Sequence, residues 1–273
     1  MDYKLIFYND SELLEGPVYD STYNFLYFVS ILDGTVYFLD LTTKEIISVK
    51  LDSPVGCVFI VGKKKVMAAS KNGFYEINFN TRKSHYAFQM EISNFVRYND
   101  GAMDPNGRYI VGTMGYPKVQ DHIGKVFSYF NGTYKAIIEK TTISNGLVFS
   151  KNGKILYFID TPTKKVAKYN YDTVKGSATF DSFIIEFNGI GSPDGMCMDQ
   201  DGMLWIAEWG GGQVSNWNPK NGKMIGQIKL PCLNVSSCCL DDLGNLFVTT
   251  AKSDNPDDVF GGGLFYVNLN KKI

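Results

Sequence analysis

Apolar residues along the chain come in short runs that read as strands: FLYFVS, TVYFLDL, KVMAAS, GFYEINF, RYIVGTM, KVFSYF, ILYFID, KVAKYNY, LWIAEW and LFYVNL. They are aromatic or β-branched and bounded by Asn-Gly and Asp-Gly pairs, the signals of hairpins rather than helices. No stretch carries the spacing of an amphipathic helix. The pattern predicts an all-β protein.

The runs also repeat. Each unit opens with a small motif, followed by an apolar strand, a turn and further strands. The openings are EGPVYD, VGCVFI, NDGAMD, SNGLVF, PDGMCM and SSCCLD. Aligned on Gly16, Gly56, Gly101, Gly146, Gly195 and Cys238, they are spaced by 40, 45, 45, 49 and 43 residues. A period in the forties with about four strands per unit is that of a β-propeller blade. Six openings predict a six-bladed β-propeller occupying residues 1–273 as one domain. The strand in LIFYND is expected to complete the last blade, which ends in GGGLFYVNL, and so close the ring.

In a propeller the first strand of each blade lines the central channel. The residues before the aligned positions, Glu15, Val55, Asp100, Asn145, Asp194 and Ser237, therefore point at one axis, with Asn99 beside Asp100. An Asx residue before glycine is common in turns, where it accepts backbone hydrogen bonds. Four polar residues in one register of a repeat are harder to explain that way. Converging carboxylates repel each other, and either raised pKa values or a bound cation must offset this. An all-oxygen set suits a hard divalent ion such as calcium, magnesium or manganese; zinc prefers nitrogen or sulfur. The two histidines, His85 and His122, lie outside the openings.

Composition narrows the partners. With 44% hydrophobic residues a sizeable core is possible, and 27 Lys+Arg against 28 Asp+Glu leave no basic footprint for nucleic acid. No apolar run approaches the roughly 20 residues needed to span a bilayer. MDYKLIFYND lacks the plan of a secretion signal, and five cysteines without CxxC spacing suit a reducing, cytoplasmic setting. A monomer is the default expectation.

Several of these openings, in this order, identify a family. EGPVYD, RYNDGAMDPNGRYIVGTM, SNGLVFS, PDGMCMDQDGMLWIAEWGGGQV and SSCCLDDLGNLFVTTA resemble the SMP-30/gluconolactonase/LRE-like family over most of the chain, least in the second unit around 55–90. The resemblance implies a six-bladed propeller with one divalent cation (calcium, zinc, magnesium or manganese) at the top of the channel. It implies Glu15, Asn145 and Asp194 as metal ligands, Asp194 also as general base, and Arg97 and Asn99 as substrate-binding residues. The implied activity is hydrolysis of sugar lactones, such as gluconolactone, to aldonic acids. The alternatives are a metal-dependent hydrolase of other esters or organophosphates, and a calcium-binding regulatory propeller with little turnover. One departure bears on substrate: relatives carry an acidic residue after GTM, whereas here Gly115-Tyr116-Pro117 follows. Either Tyr116 or Asp121 takes its place, or the polyol contact is absent.

Other residues attract plainer readings. Trp205 is expected in the core, and Trp209 in packing between blades rather than at the rim. Cys238 and Cys239 read as small core hydrophobes. Ser236 and Ser237 with His85 make no nucleophilic triad, since no GxSxG elbow is present. His122 reads as an exposed loop histidine.

Overall fold

The computed structural model describes residues 2–269. It consists almost wholly of strands, arranged as six four-stranded antiparallel sheets around a channel, a six-bladed β-propeller. The inner strands are Leu14–Asp20, Val55–Gly62, Val96–Met103, Ser144–Phe149, Ser192–Met198 and Asn234–Leu240. These are the six openings predicted from the repeat. The sixth blade runs from its inner strand through Leu246–Ala251 and Gly263–Asn268 to Asp2–Tyr8 at its outer edge. The N-terminal strand thus pairs antiparallel with the last strand, Phe7 opposite Leu264.

The core lies between blades. Tyr27, Val29 and Phe38 of blade 1 pack with Val58, Val66 and Ile77 of blade 2. At the closing seam Leu14, Phe28 and Tyr37 of blade 1 pack with Phe247 and Leu264 of blade 6, while Ile6 and Phe7 cover the same cluster. Alternation explains this arrangement. Successive side chains of a strand face opposite sides of its sheet, and each sheet has a blade on both sides.

Each inner strand breaks its ladder at the opening motif. The register shifts fall between Glu15 and Val18, Val55 and Cys57, Tyr98 and Gly101, Asn145 and Leu147, Pro193 and Met196, and Val235 and Ser237. A bulge bends the strand and re-aims the side chains at the break. The recurrent motif along the chain is therefore a ring of bulges around one mouth of the channel. The glycines of the motif allow the inner strands to approach each other. A Cβ on Gly146 would lie 2.8 Å from the Asp194 carbonyl oxygen, and one on Gly195 2.8 Å from the Ser237 Cα.

Candidate metal centre

The bulges bring Glu15 of blade 1, Arg97 and Asn99 of blade 3, Asn145 of blade 4 and Asp194 of blade 5 to one cavity of about 210 Å³. All five side chains are buried, between 5% and 7% exposed. Leu13, Ile31, Met114, Ile143 and Trp209 form apolar walls above this polar floor, and Thr161 completes the floor.

Blade 3 corrects the alignment on glycine. Its bulge sets both Asn99 and Asp100 opposite the single residue Gly112. Asn99 turns into the site. Asp100 accepts the Gly101 N–H at 2.6 Å and lines a separate, larger cavity on the channel with Cys57, Cys197 and Cys238. Asp100 is thus not in the group facing the site, and Asn99 takes the place that counting from glycine gives to Asp100. Val55 and Ser237 are not among the residues lining the site.

A chain of hydrogen bonds orders the floor. Arg97 Nη1 donates to Asn99 Oδ1 at 2.6 Å and to the Tyr98 carbonyl at 3.0 Å. Asn99 Nδ2 donates to Asn145 Oδ1 at 2.6 Å and to the Ser144 carbonyl at 3.0 Å. Asn145 Nδ2 donates to Thr161 Oγ1 at 2.7 Å, and Thr161 donates to the Pro193 carbonyl at 2.9 Å. Glu15 Oε2 accepts the Gly16 N–H at 2.8 Å. Asp194 Oδ1 is buried with no hydrogen-bond partner.

Burial dominates the electrostatics. Removal from water, reinforced by the Asp100 charge, pushes Glu15 up to about 8, against the pull of the Gly16 N–H and Arg97. The same burial, with Glu15 and Asp100 nearby, holds Asp194 well above the carboxylate range. Burial brings Asp100 up to about 6. It also lowers Arg97 to about 10, which leaves the guanidinium charged at neutral pH.

These residues fit a hard cation. Two buried carboxylates, one with an unpartnered oxygen, and an amide oxygen with a lone pair to spare form an all-oxygen donor set. Among the described residues no three His, Cys, Asp or Glu side chains are grouped to hold a metal ion. A cation here would therefore take its third protein oxygen from Asn145.

One aromatic residue departs from its sequence reading, and two agree. Trp209 was expected to pack between blades, but it forms part of the site wall. The hairpin accounts for this: Trp209 ends its strand opposite Ser192, at the same mouth as Asp194. Trp205 joins the core between blades 5 and 6, its Nε1 donating to Asp199 at 3.0 Å. Tyr116 lies near Arg97, whereas Asp121 is exposed and acts on Asp160 instead. His122 is an exposed loop residue, as expected. Cys238 is buried and Cys239 packs against the closing seam. Thr161, just beyond ILYFID, carried no sequence signal.

A six-bladed propeller with a buried acid-and-amide centre at one mouth of its channel is the class that fold and site define. The chain belongs to the SMP-30/gluconolactonase/LRE-like family, whose model matches residues 13–252. It is 31% identical to the putative sugar lactone lactonase YvrE of Bacillus subtilis, covering 93% of this chain and 90% of the relative. It is also 31% identical to human regucalcin, covering 93% and 89%. Among solved structures, a calcium-binding protein, regucalcin, from Agrobacterium tumefaciens shares the fold with a TM-score of 0.86 at 24% identity, covering 97% of this chain and 92% of that one. No helix among the described residues is long and apolar enough to cross a membrane.

Proposed function

We propose that the protein is a divalent-cation-dependent lactonase that opens small sugar lactones to their hydroxy acids. The observation that carries this reading is the buried, unpartnered Asp194 Oδ1 beside Glu15 and Asn145, under a pocket sized for a single small ring. Glu15, Asn145 and Asp194 would hold the cation. When bound, it supplies a Lewis acid for the lactone carbonyl and the positive charge that keeps the two carboxylates ionised at neutral pH.

The chain's own groups do the rest. Arg97 presents a fixed positive charge at the floor, and with Asn99 it orients the oxygens of the substrate ring. Asp194 takes a proton from the attacking water as the water oxygen bonds to the carbonyl carbon. The ring C–O bond then breaks, and the ring oxygen leaves as a hydroxyl by taking that proton from Asp194, which restores the carboxylate. Leu13, Ile31, Met114, Ile143 and Trp209 exclude bulk water from this step and strengthen the local field. The Bacillus subtilis relative named as a putative sugar lactone lactonase supports the substrate class.

The test is hydrolysis of D-glucono-δ-lactone by chelator-stripped protein, with calcium, zinc, magnesium and manganese returned one at a time. Restored turnover supports the reading. Cation binding without turnover on any lactone would refute the catalytic part of it.

A further inference from the structure

We propose that Thr161 is a positioning residue for the metal centre, locking the Asn145 amide and the Asp194 peptide in one geometry across two blades. The inference rests on the reading of this centre as a cation site.

The argument turns on hydrogen count. A threonine hydroxyl has one proton and two lone pairs. The Pro193 carbonyl, 2.9 Å from Thr161 Oγ1, can only accept, so the proton goes there. Toward Asn145, 2.7 Å away, Thr161 is then obliged to accept, and the group facing it must be the Nδ2 amine. The Asn145 oxygen is thereby turned to the other side, where Asn99 Nδ2 meets it at 2.6 Å. A flipped amide would set two donors against each other at Asn99. It would also leave Thr161 facing an oxygen without a proton to offer. The hydroxyl and Asn99 together thus decide which atom of Asn145 faces the site. The same hydroxyl fixes the carbonyl of the residue directly before Asp194.

Thr161 is itself held firmly. It opens the short 3-10 turn Thr161–Thr163, in which Pro162 restricts the backbone. Its N–H donates to the Ile143 carbonyl at 3.2 Å, and its carbonyl accepts the Lys164 N–H at 3.0 Å. The preceding Asp160 takes the N–H groups of Thr142, at 3.1 Å, and Ile143, at 2.8 Å, so the turn is tied to the chain leading into Asn145. A partner behind a metal ligand typically changes affinity by about 10–100-fold when removed.

The experiment is calorimetric titration of manganese into chelator-stripped wild type, Thr161→Val, Thr161→Ser, Asn145→Asp and the Thr161→Val/Asn145→Asp double variant. The shape-matched valine should weaken binding about 10–100-fold, and serine, which keeps the hydroxyl, should stay within about 3-fold of wild type. Asn145→Asp has no amine to donate, so adding Thr161→Val to it should cost clearly less than the same change costs in wild type, the remainder coming from the Pro193 contact. Unchanged affinity in Thr161→Val overturns the proposal. So does an equal loss in both backgrounds, which would show a general packing effect, or an equal loss with serine. If wild type binds no manganese, the cation reading itself falls, and this proposal with it.

Discussion

Stripping the centre of cations should make folding stability fall as pH rises through neutrality. Burial raises Glu15 from 4.5 to about 8. Below 4.5 the folded and unfolded chains both hold this proton. Between 4.5 and about 8 the folded protein keeps a proton that the unfolded chain has released. Folding is therefore favoured on the acid side, and that advantage is lost as pH rises through the folded pKa. A shift of this size corresponds to a loss of about 5 kcal/mol across the window, as a ceiling. Asp194 shifts in the same direction and adds to the slope. Against a typical total of about 5–15 kcal/mol this is a large fraction. Urea unfolding at pH 6, 7, 8 and 9 in chelator should show a falling midpoint. Saturating calcium or manganese should flatten the curve, because a cation replaces the protons. Glu15→Gln should be flatter than wild type in chelator. A cation-free midpoint that stays level or rises between pH 6 and 8 would refute the electrostatic account of the site.

Asp194→Asn should lower kcat on gluconolactone by about 100-fold or more while circular dichroism shows the fold intact; near-wild-type turnover would remove both its roles. Glu15→Gln should weaken cation affinity by calorimetry, and equal affinity would show that Glu15 is no ligand. Trp209→Ala should raise KM and lower kcat together, since the side chain both walls the pocket and excludes water from the step; unchanged kinetics would contradict that placement. Gly195→Ala should destabilise by about 1–3 kcal/mol in urea, because its Cβ would meet the Ser237 backbone at 2.8 Å; a neutral variant would mean the inner strands can part without cost.

The blades were legible in the sequence because turn pairs and alternating apolar runs recur with one period. The ring closure was legible because LIFYND is a strand with no blade of its own. Glu15, Asn145 and Asp194 could be found because each sits at a bulge that the repeat marks with a glycine. The same rule misplaced blade 3. There the glycine follows the two-residue bulge, whereas in blade 5 Gly195 lies within it, so Asn99 rather than Asp100 turns into the site. Counting from a glycine cannot show whether that glycine lies within its bulge or just after it. Trp209 was misread because its position depends on pairing with Ser192, and only hairpin geometry supplies that. Thr161 was missed for a different reason. Its two partners, Asn145 and Pro193, lie 16 and 32 residues away and belong to different blades. A lone hydroxyl in a turn has no periodic signature.

The pairing of Asp2–Tyr8 with Gly263–Asn268 also sets a clock on biosynthesis. The two strands lie about 255 residues apart in the chain. At about 5–20 residues per second, the outer strand emerges from the ribosome on the order of 10–50 seconds before its partner exists. Through that interval Leu5, Ile6 and Phe7 have neither ladder nor cover, and the five blades already formed stand as an open arc. The strand that later locks the ring is therefore the one that waits longest for its partner while the protein is being made.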